Sequence, residues 1–321
     1  MIEILLLIIL VIFLGMNMGV SGIAPSFAVS YCTNIIKEKS TMILFGIFVV
    51  LGAVLLGHNV AKTLGGGILP KQYIDINITL IILFCTSLGL FAANLLKIPQ
   101  STSWATVFSI VGVGLAIGHL ESKKIFSIIP FWILLPIISY FLTLFVHKRI
   151  YPPALKNLWL YEKILSNERT VKKLSIIASC YVAFSIGANN VANIVGPLVS
   201  SGAIKNTTFG LFIVSITFIV GAIFWGKHTM CTVGENIIPF GVISATIVGF
   251  ITATLLICAS IMGIPQSLVQ LNAASVFAIS HNKNGFSETV SHSTTKKIFF
   301  VWLISPLLAF LSAYLITKVT K

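Results

Sequence analysis

The chain has 321 residues, of which 57% are hydrophobic and only 9% charged, and its mean hydropathy is +1.02. Soluble chains carry about 25% charged residues, so this composition excludes a water-soluble globule and indicates a polytopic membrane protein whose main solvent is the lipid bilayer. The net charge of +13 comes from residues scattered between apolar runs, not from the continuous basic stripe of a nucleic-acid-binding protein.

The uncharged stretches of the chain predict an all-α fold of ten apolar segments. About 20 apolar residues are needed to cross the hydrocarbon core of a bilayer as a helix. The stretch 236–280 is too long for one helix, and Gly263-Ile264-Pro265 divides it because proline disfavours helix at and just before itself. The stretches in chain order are 4–36, 40–61, 76–96, 98–118, 125–146, 174–204, 206–226, 236–280 and 298–317.

A hydrophilic stretch at 147–173 separates five apolar segments on each side. It contains seven basic residues and two acidic ones. By the positive-inside rule, we place this stretch in the cytoplasm and the protein in the cell membrane. The sequence therefore predicts a first transmembrane repeat at 1–146, a basic cytoplasmic linker at 147–173 and a second transmembrane repeat at 174–321.

The two halves contain the same Gly, Asn, Pro and Gln residues in the same order. Apolar composition alone aligns Leu with Ile by accident, but it does not repeat these residue types collinearly, so the matches indicate a duplicated half. If each half crosses the membrane an odd number of times, the copies are inverted, as in many secondary transporters. The matched ranges are 15–25 with 187–197, 52–70 with 221–239 and 98–101 with 264–267.

Helix breakers lie beside uncharged polar side chains at matched places of both halves. A broken or re-entrant helix is tolerated in a membrane only where its backbone lines a cavity or is buried in protein. A helix that restarts after Pro99 or Pro265 directs its free N–H groups at an anion. Small polar residues also occur at plain helix contacts, but paired interruptions favour a transport site. We predict interruptions at 15–25, 187–197, 99–103 and 265–267.

Two of these places resemble motifs of a known family. Residues 187–193 read GANNVAN, are followed by Gly-Pro, and resemble the GANDVAN signature of the inorganic phosphate transporter (PiT) family. Residues 99–105, PQSTSWA, are similar to that family's PVSTTHA motif, and VGVGLA at 111–116 continues the match. The resemblance implies a secondary active transporter of inorganic phosphate, or in some branches sulfate, working by alternating access. The apolar segments contain no paired carboxylates, no metal cluster and no nucleophile and base at recognisable spacing, so we expect no enzyme, no resident metal and no cofactor.

The resemblance also implies a substrate-binding set drawn from both halves. Asn189 and Asn193 would help form the ion and substrate site, with Asn17 and Ser21 as their first-half partners. Hydroxyl groups that follow the two prolines would hold the oxyanion. The predicted set is Asn17, Ser21, Gln100, Ser101, Thr102, Ser103, Asn189, Asn190, Asn193, Gln266 and Ser267.

Several positions depart from the family's motifs. The signature carboxylate is absent from both halves, where Met18 and Asn190 stand, and the histidine of PVSTTHA is Trp104. A sodium ion at membrane depth favours hard oxygen ligands with compensating negative charge, so we favour the proton over sodium as the coupling ion. Sulfate carries no proton that a carboxylate could accept, so losing the acid also removes a reason to reject sulfate.

Lys62 has two interpretations. It stands where the family often has an acid, and it lies near the end of an apolar run. It is therefore either a charge partner of the bound anion or a lysine that reaches the lipid headgroups.

Alternative functions stay open at this point. One is a proton-coupled sulfate permease. Another, of a different class, is a membrane sensor or accessory subunit that keeps the fold without transport. The sequence is compatible with a homo-oligomer in each case. Uptake of labelled anion into proteoliposomes separates transport from binding without flux.

Overall fold

The computed structural model describes residues 2–95, 100–151, 155–162, 166–237, 241–291 and 293–320. Within these ranges the regular structure is helical, which confirms the predicted all-α polytopic fold. The α-helices are α1 Ile2–Cys32, α2 Glu38–Leu56, α3 His58–Lys62, α4 Ile76–Leu95, α5 Thr102–Ile117, α6 Ser122–Ile150, α7 Leu158–Leu160, α8 Glu168–Asn190, α9 Ala192–Ser200, α10 Thr207–Ile237, α11 Val242–Ile261, α12 Leu268–Asn284, α13 Phe286–Ser291 and α14 Ser293–Thr320.

Six of the described helical stretches are long and apolar enough to cross a membrane, α8 and α9 together counting as one. They are α1, α2, α6, α8 with α9, α10 and α11. Shorter apolar helices lie at Ile76–Phe91, Thr102–Ile117 and Ile304–Thr320. The ten apolar segments predicted from the sequence therefore divide into full spans and shorter helices, because a 16-residue helix such as α5 is only about 24 Å long.

Contacts between helix termini define two ends of the bundle. At the linker end, near residues 147–173, Ser30 of α1 lies 2.8 Å from Ser175 of α8, Oγ to Oγ. Lys227 of α10 forms a 3.0 Å ion pair with Glu38 at the start of α2 at this same end. At the opposite end, called the far end below, the Glu121 N–H donates to the Ile68 carbonyl over 2.9 Å.

Two helical hairpins enter the bundle from opposite ends. The first consists of α4 and α5, and its outer ends meet at the far end, where Tyr73 stacks on His119 with ring centroids 4.1 Å apart. The second consists of α11 and α12, and its outer ends meet at the linker end. There His147 of α6 contacts the Ser244 hydroxyl at 3.3 Å and the Asn282 amide at 2.8 Å. Further along α6, the Ser139 hydroxyl donates to a carbonyl of α12 over 2.9 Å.

Glycines at matched positions of the two halves pack helix against helix. A Cβ on Gly221 of α10 would lie 2.1 Å from a carbonyl oxygen of α1, and one on Gly15 of α1 would lie 1.8 Å from a hydroxyl of α10. A Cβ on Gly52 of α2 or Gly187 of α8 would meet a carbonyl oxygen of the other helix at 1.9 and 2.0 Å. Each half therefore contributes one glycine-bearing helix to each contact, and only glycine allows the close approach.

The interruption predicted at 15–25 is wrong. Helix α1 is continuous from Ile2 to Cys32, with Pro25 inside it. Its glycines serve close packing against α10, so they do not break the helix. At 187–197 the interruption is confined to Val191, whose φ of −61° and ψ of −34° are still helical. The breaks before α5 and α12 are present, while Pro99 of the first break lies outside the described residues.

Candidate functional site

The tips of both hairpins end in a serine that caps the following helix. Ser101 Oγ accepts the backbone N–H of Trp104 over 3.1 Å at the start of α5. Ser267 Oγ accepts the backbone N–H of Gln270 over 3.2 Å at the start of α12. Both serines have extended backbone angles, as N-cap residues do. The repeated Pro-Gln-Ser sequence therefore builds the same local structure twice, with a positive helix end at each tip.

Asn189 fastens the second tip to α8. Its side chain is fully buried, and its Nδ2 donates to the Ile264 carbonyl at 3.0 Å and to the Ser260 hydroxyl at 2.9 Å. Its Oδ1 accepts the backbone N–H of Gln266 over 3.0 Å. This one amide thus satisfies two backbone groups of the unwound segment between α11 and α12, as a broken helix inside a membrane requires.

Asn193 fastens the first tip. It is fully buried one helical turn after Asn189, and its Nδ2 donates to Ser103 Oγ over 3.2 Å and approaches Thr102 Oγ1 at 3.4 Å. Ser103 Oγ in turn donates to the Gln266 carbonyl over 3.1 Å. The short α8–α9 interruption therefore lies between the two tips, and it joins predicted site residues from both halves of the chain.

Four amide atoms at the two tips are buried without a hydrogen-bond partner. They are the Nε2 and Oε1 atoms of Gln100 and of Gln266, whose residues are 7% and 0% exposed. Asn190 Oδ1 and Asn193 Oδ1 also lack a partner. A buried polar group left unpaired costs about 1–3 kcal/mol, and native proteins contain few of them. Their concentration at matched positions leaves unused hydrogen-bonding groups at the tips that a polar ligand or water could satisfy.

The described side-chain hydrogen bonds of Asn17 and Ser21 do not reach the hairpin tips. Asn17 Nδ2 donates to the Phe13 carbonyl over 2.8 Å, and Ser21 Oγ donates to the Met18 carbonyl over 3.0 Å. Both bonds lie within α1, and Ser21 is exposed. Asn17 and Ser21 therefore bond within the continuous helix α1, whereas Asn189 and Asn193 bond to the hairpins.

Two tryptophans that sequence reasoning did not assign to the site lie beside the tips. Trp104 and Trp132 have ring centroids 4.8 Å apart. The Trp132 indole N–H donates to the Pro265 carbonyl over 2.8 Å, while the Trp104 indole N–H is buried without a partner. The position of Trp132 between two prolines of α6 is the only sequence signal that could have suggested a special role.

None of the described side chains that bond at the tips is ionised, since they are amides and hydroxyls. An anion bound here would be stabilised by the N-terminal ends of α5 and α12 and by amide donors, not by a cation. Lys62 is exposed in α3 at the far end, away from these contacts. Among the described residues, no group of three or more His, Cys, Asp or Glu residues could hold a metal ion.

Two cavities flank the tips. A narrow one of about 70 Å³ lies towards the linker end and is lined by serines of α1 and α8 and by Asn272 of α12. A wider one of about 510 Å³ lies at the far end, between α3, the turn Thr63–Gly67 and α9. Both linings combine polar and apolar side chains, and the two cavities lie at different ends of the bundle.

Replacing Asn189 with alanine is expected to destabilise the protein strongly. The change leaves the Gln266 N–H and the Ile264 carbonyl buried without partners, at a cost of about 1–3 kcal/mol for each group. Thermal unfolding of the purified protein in detergent measures the loss. Asn59→Ala is the matched control, because Asn59 is exposed and donates a single bond to the Ile261 carbonyl of the same hairpin. Equal unfolding midpoints for the two variants would contradict the assignment.

The polar tips of two opposed hairpins meet inside a bundle of membrane-spanning helices. This arrangement places the protein in the class of membrane transporters. The family model described as the phosphate transporter family matches residues 18–313, and the chain belongs to that family. It is therefore a transporter and not an enzyme, as the resemblance implied.

Comparison with individual proteins agrees with this membership. The chain is 36% identical over 318 residues to the sulfate permease CysP of Bacillus subtilis (strain 168), covering 96% of this chain and 85% of that protein. The solved structure titled the sodium-dependent phosphate transporter has the same fold, with a TM-score of 0.82, 22% identity and coverage of 100% of this chain and 99% of the other.

Proposed function

We propose that the protein is a secondary active permease that carries an inorganic oxyanion, phosphate or sulfate, across the cell membrane by alternating access. The single observation that carries this proposal is the set of unpartnered amide groups of Gln100 and Gln266 at the two hairpin tips. An oxyanion placed between the tips accepts hydrogen bonds from both Nε2 groups, and it lies at the positive ends of two helices.

The arrangement of the hairpins supports alternating access. They enter from opposite ends, and matched glycines of the two halves occupy equivalent contacts, as expected of inverted repeats. If the basic linker 147–173 is cytoplasmic, the wider cavity faces outside the cell and the narrower one faces the cytoplasm. If the two halves then exchanged their conformations, one cavity would close and the other would open, while the binding site stayed in place.

Sulfate is the oxyanion that the tips favour. The described groups around the tips are neutral amide donors and amide oxygens, with no carboxylate whose negative charge would repel a dianion. A fully deprotonated dianion needs only donors, so the neutral site imposes no repulsion on it. The 36% identity to a sulfate permease supports this assignment.

Transport is expected to continue without sodium. We expect uptake of labelled sulfate by proteoliposomes to be unchanged when choline replaces sodium and to rise when the external pH is lowered. The reason is that no carboxylate lies among the described contacts at the tips to compensate a sodium ion at membrane depth. The measurement is the initial uptake rate at two pH values with and without sodium. Strict sodium dependence would show that amide and carbonyl oxygens suffice for sodium, and an absence of flux with retained binding would favour a sensor.

A further inference from the structure

The far-end cavity is positively charged. Its lining includes Lys62, Lys71 and His58, and it includes no carboxylate. Both lysines are exposed, and neither forms an ion pair within the described part of the chain. A third cation approaches from α6, because a Cβ on Gly67 would lie 3.7 Å from Lys124 Cε.

Asp75 and Glu121, in the segments next to the cavity, are not among its lining residues. Asp75 uses a carboxylate oxygen to accept the backbone N–H of Ile78 over 2.7 Å at the start of α4. Glu121 precedes α6, and its side chain makes no cap hydrogen bond there. The charge of the lysines is therefore available to a ligand in the cavity.

The floor of this cavity adjoins the hairpin tips. Gly196 is part of the lining and lies one helical turn after Asn193 in α9. It packs so closely on the opposite segment that a Cβ there would lie 2.8 Å from the Cβ of Leu64. On the side of the second hairpin, a Cβ on Gly263 would lie 3.1 Å from the Thr63 hydroxyl. The contact between α9 and the glycine-rich segment 63–67 therefore lies between the cavity and Asn193, whose amide bonds to the first tip.

We propose that the far-end cavity is a second oxyanion site, at which Lys62 and Lys71 hold free sulfate or phosphate before it passes to the hairpin tips. Lysine binds such anions as a point charge. A cleft lined by one sign of charge concentrates the oppositely charged solute and accelerates its capture. This inference rests on the proposed transport function. In it the two lysines capture the anion in the far-end cavity, and they do not bind it at the hairpin tips.

The test compares uptake kinetics in proteoliposomes that contain the full chain. The variant Lys62→Gln/Lys71→Gln is expected to raise the KM for labelled sulfate about tenfold at low ionic strength, with an unchanged maximal rate. Because the Debye length falls to about 3 Å at 1 M salt, the difference in KM is expected to vanish in choline chloride of that concentration. Lys62→Arg/Lys71→Arg keeps the charge and should keep the original KM. Lys205→Gln is the matched control, since Lys205 is exposed just before α10 and outside the lining.

The outcomes separate this inference from the proposed function. An unchanged KM in the glutamine variant, or a raised KM that persists at high salt, would overturn the second site. A lower maximal rate with an unchanged KM would overturn it as well, by assigning the lysines to lipid headgroup phosphates. If the unaltered protein takes up no labelled anion above protein-free vesicles, the transport function itself is wrong.

Discussion

The double variant Gln100→Leu/Gln266→Leu is expected to take up labelled sulfate roughly 100-fold more slowly than the unaltered protein, or slower still. Each side chain supplies a hydrogen bond to a charged group, worth about 1.5–3 kcal/mol, and 1.4 kcal/mol corresponds to a factor of ten. The same variant should unfold no more easily, because neither amide has a partner in the protein to lose. Initial uptake rates and thermal unfolding in detergent together measure the two effects.

Gln72→Leu is the matched control for this variant. Gln72 is exposed in the turn before α4, so the same change of side chain there should leave uptake intact. Near-normal uptake by the double variant would move the binding site away from the hairpin tips. A large loss of stability together with the loss of uptake would instead indicate that the two amides hold the fold.

Asn190→Asp is expected to reverse the preference between the two oxyanions. The variant restores the carboxylate of the GANDVAN signature at a position whose Oδ1 is buried without a partner. A carboxylate there repels sulfate in a medium of low dielectric, whereas monohydrogen phosphate can donate its proton to it. We expect the ratio of sulfate to phosphate uptake to fall by at least about tenfold. The new carboxylate has no proton to accept when sulfate is bound, and an unpaired charge of this kind discriminates against one of two ligands.

The control for this change is Asn206→Asp. Asn206 caps α10 at the far end, where its Oδ1 accepts the Phe209 N–H over 3.1 Å, and aspartate preserves that bond. Both variants add one negative charge, but only the variant at 190 places it at a buried, unpartnered atom next to Asn189 in the chain. A sulfate to phosphate ratio that is unchanged in Asn190→Asp, or lowered equally in both variants, would contradict the argument.

Local patterns predicted the two breaks that form the hairpin tips. Proline with adjacent hydroxyls at 99–103 and 265–267 specifies a helix start, and Ser101 and Ser267 cap the helices that follow. The spacing of Asn189 and Asn193 places both on one face of a helix, where they reach the two tips. These features depend on neighbouring residues along the chain, so a single sequence contains the information.

The same reasoning could not predict that α1 is continuous or which groups Asn189 bonds to. A glycine either breaks a helix or allows another helix to approach closely. Which of the two effects Gly15 has depends on α10, which lies about 200 residues away in the sequence. Asn189 is predicted to help form the ion and substrate site, which stays a prediction, and the sequence did not indicate that its three hydrogen bonds go to the second hairpin. An asparagine side chain is the same whether it binds a substrate or supports the fold, so only the residues packed around it distinguish these two roles.

Helix α6 contacts the second hairpin at three levels, through Trp132 near the tip, Ser139 midway and His147 at the linker end. These positions recur every seven or eight residues, so they follow one face of the helix for most of its length. A helix of the first half is therefore packed along a hairpin of the second half at its tip, its middle and its outer end. Under the proposed alternating-access cycle we expect α6 and this hairpin to move together, so that any displacement would require the bonds from Asn189 of α8 to the hairpin to rearrange.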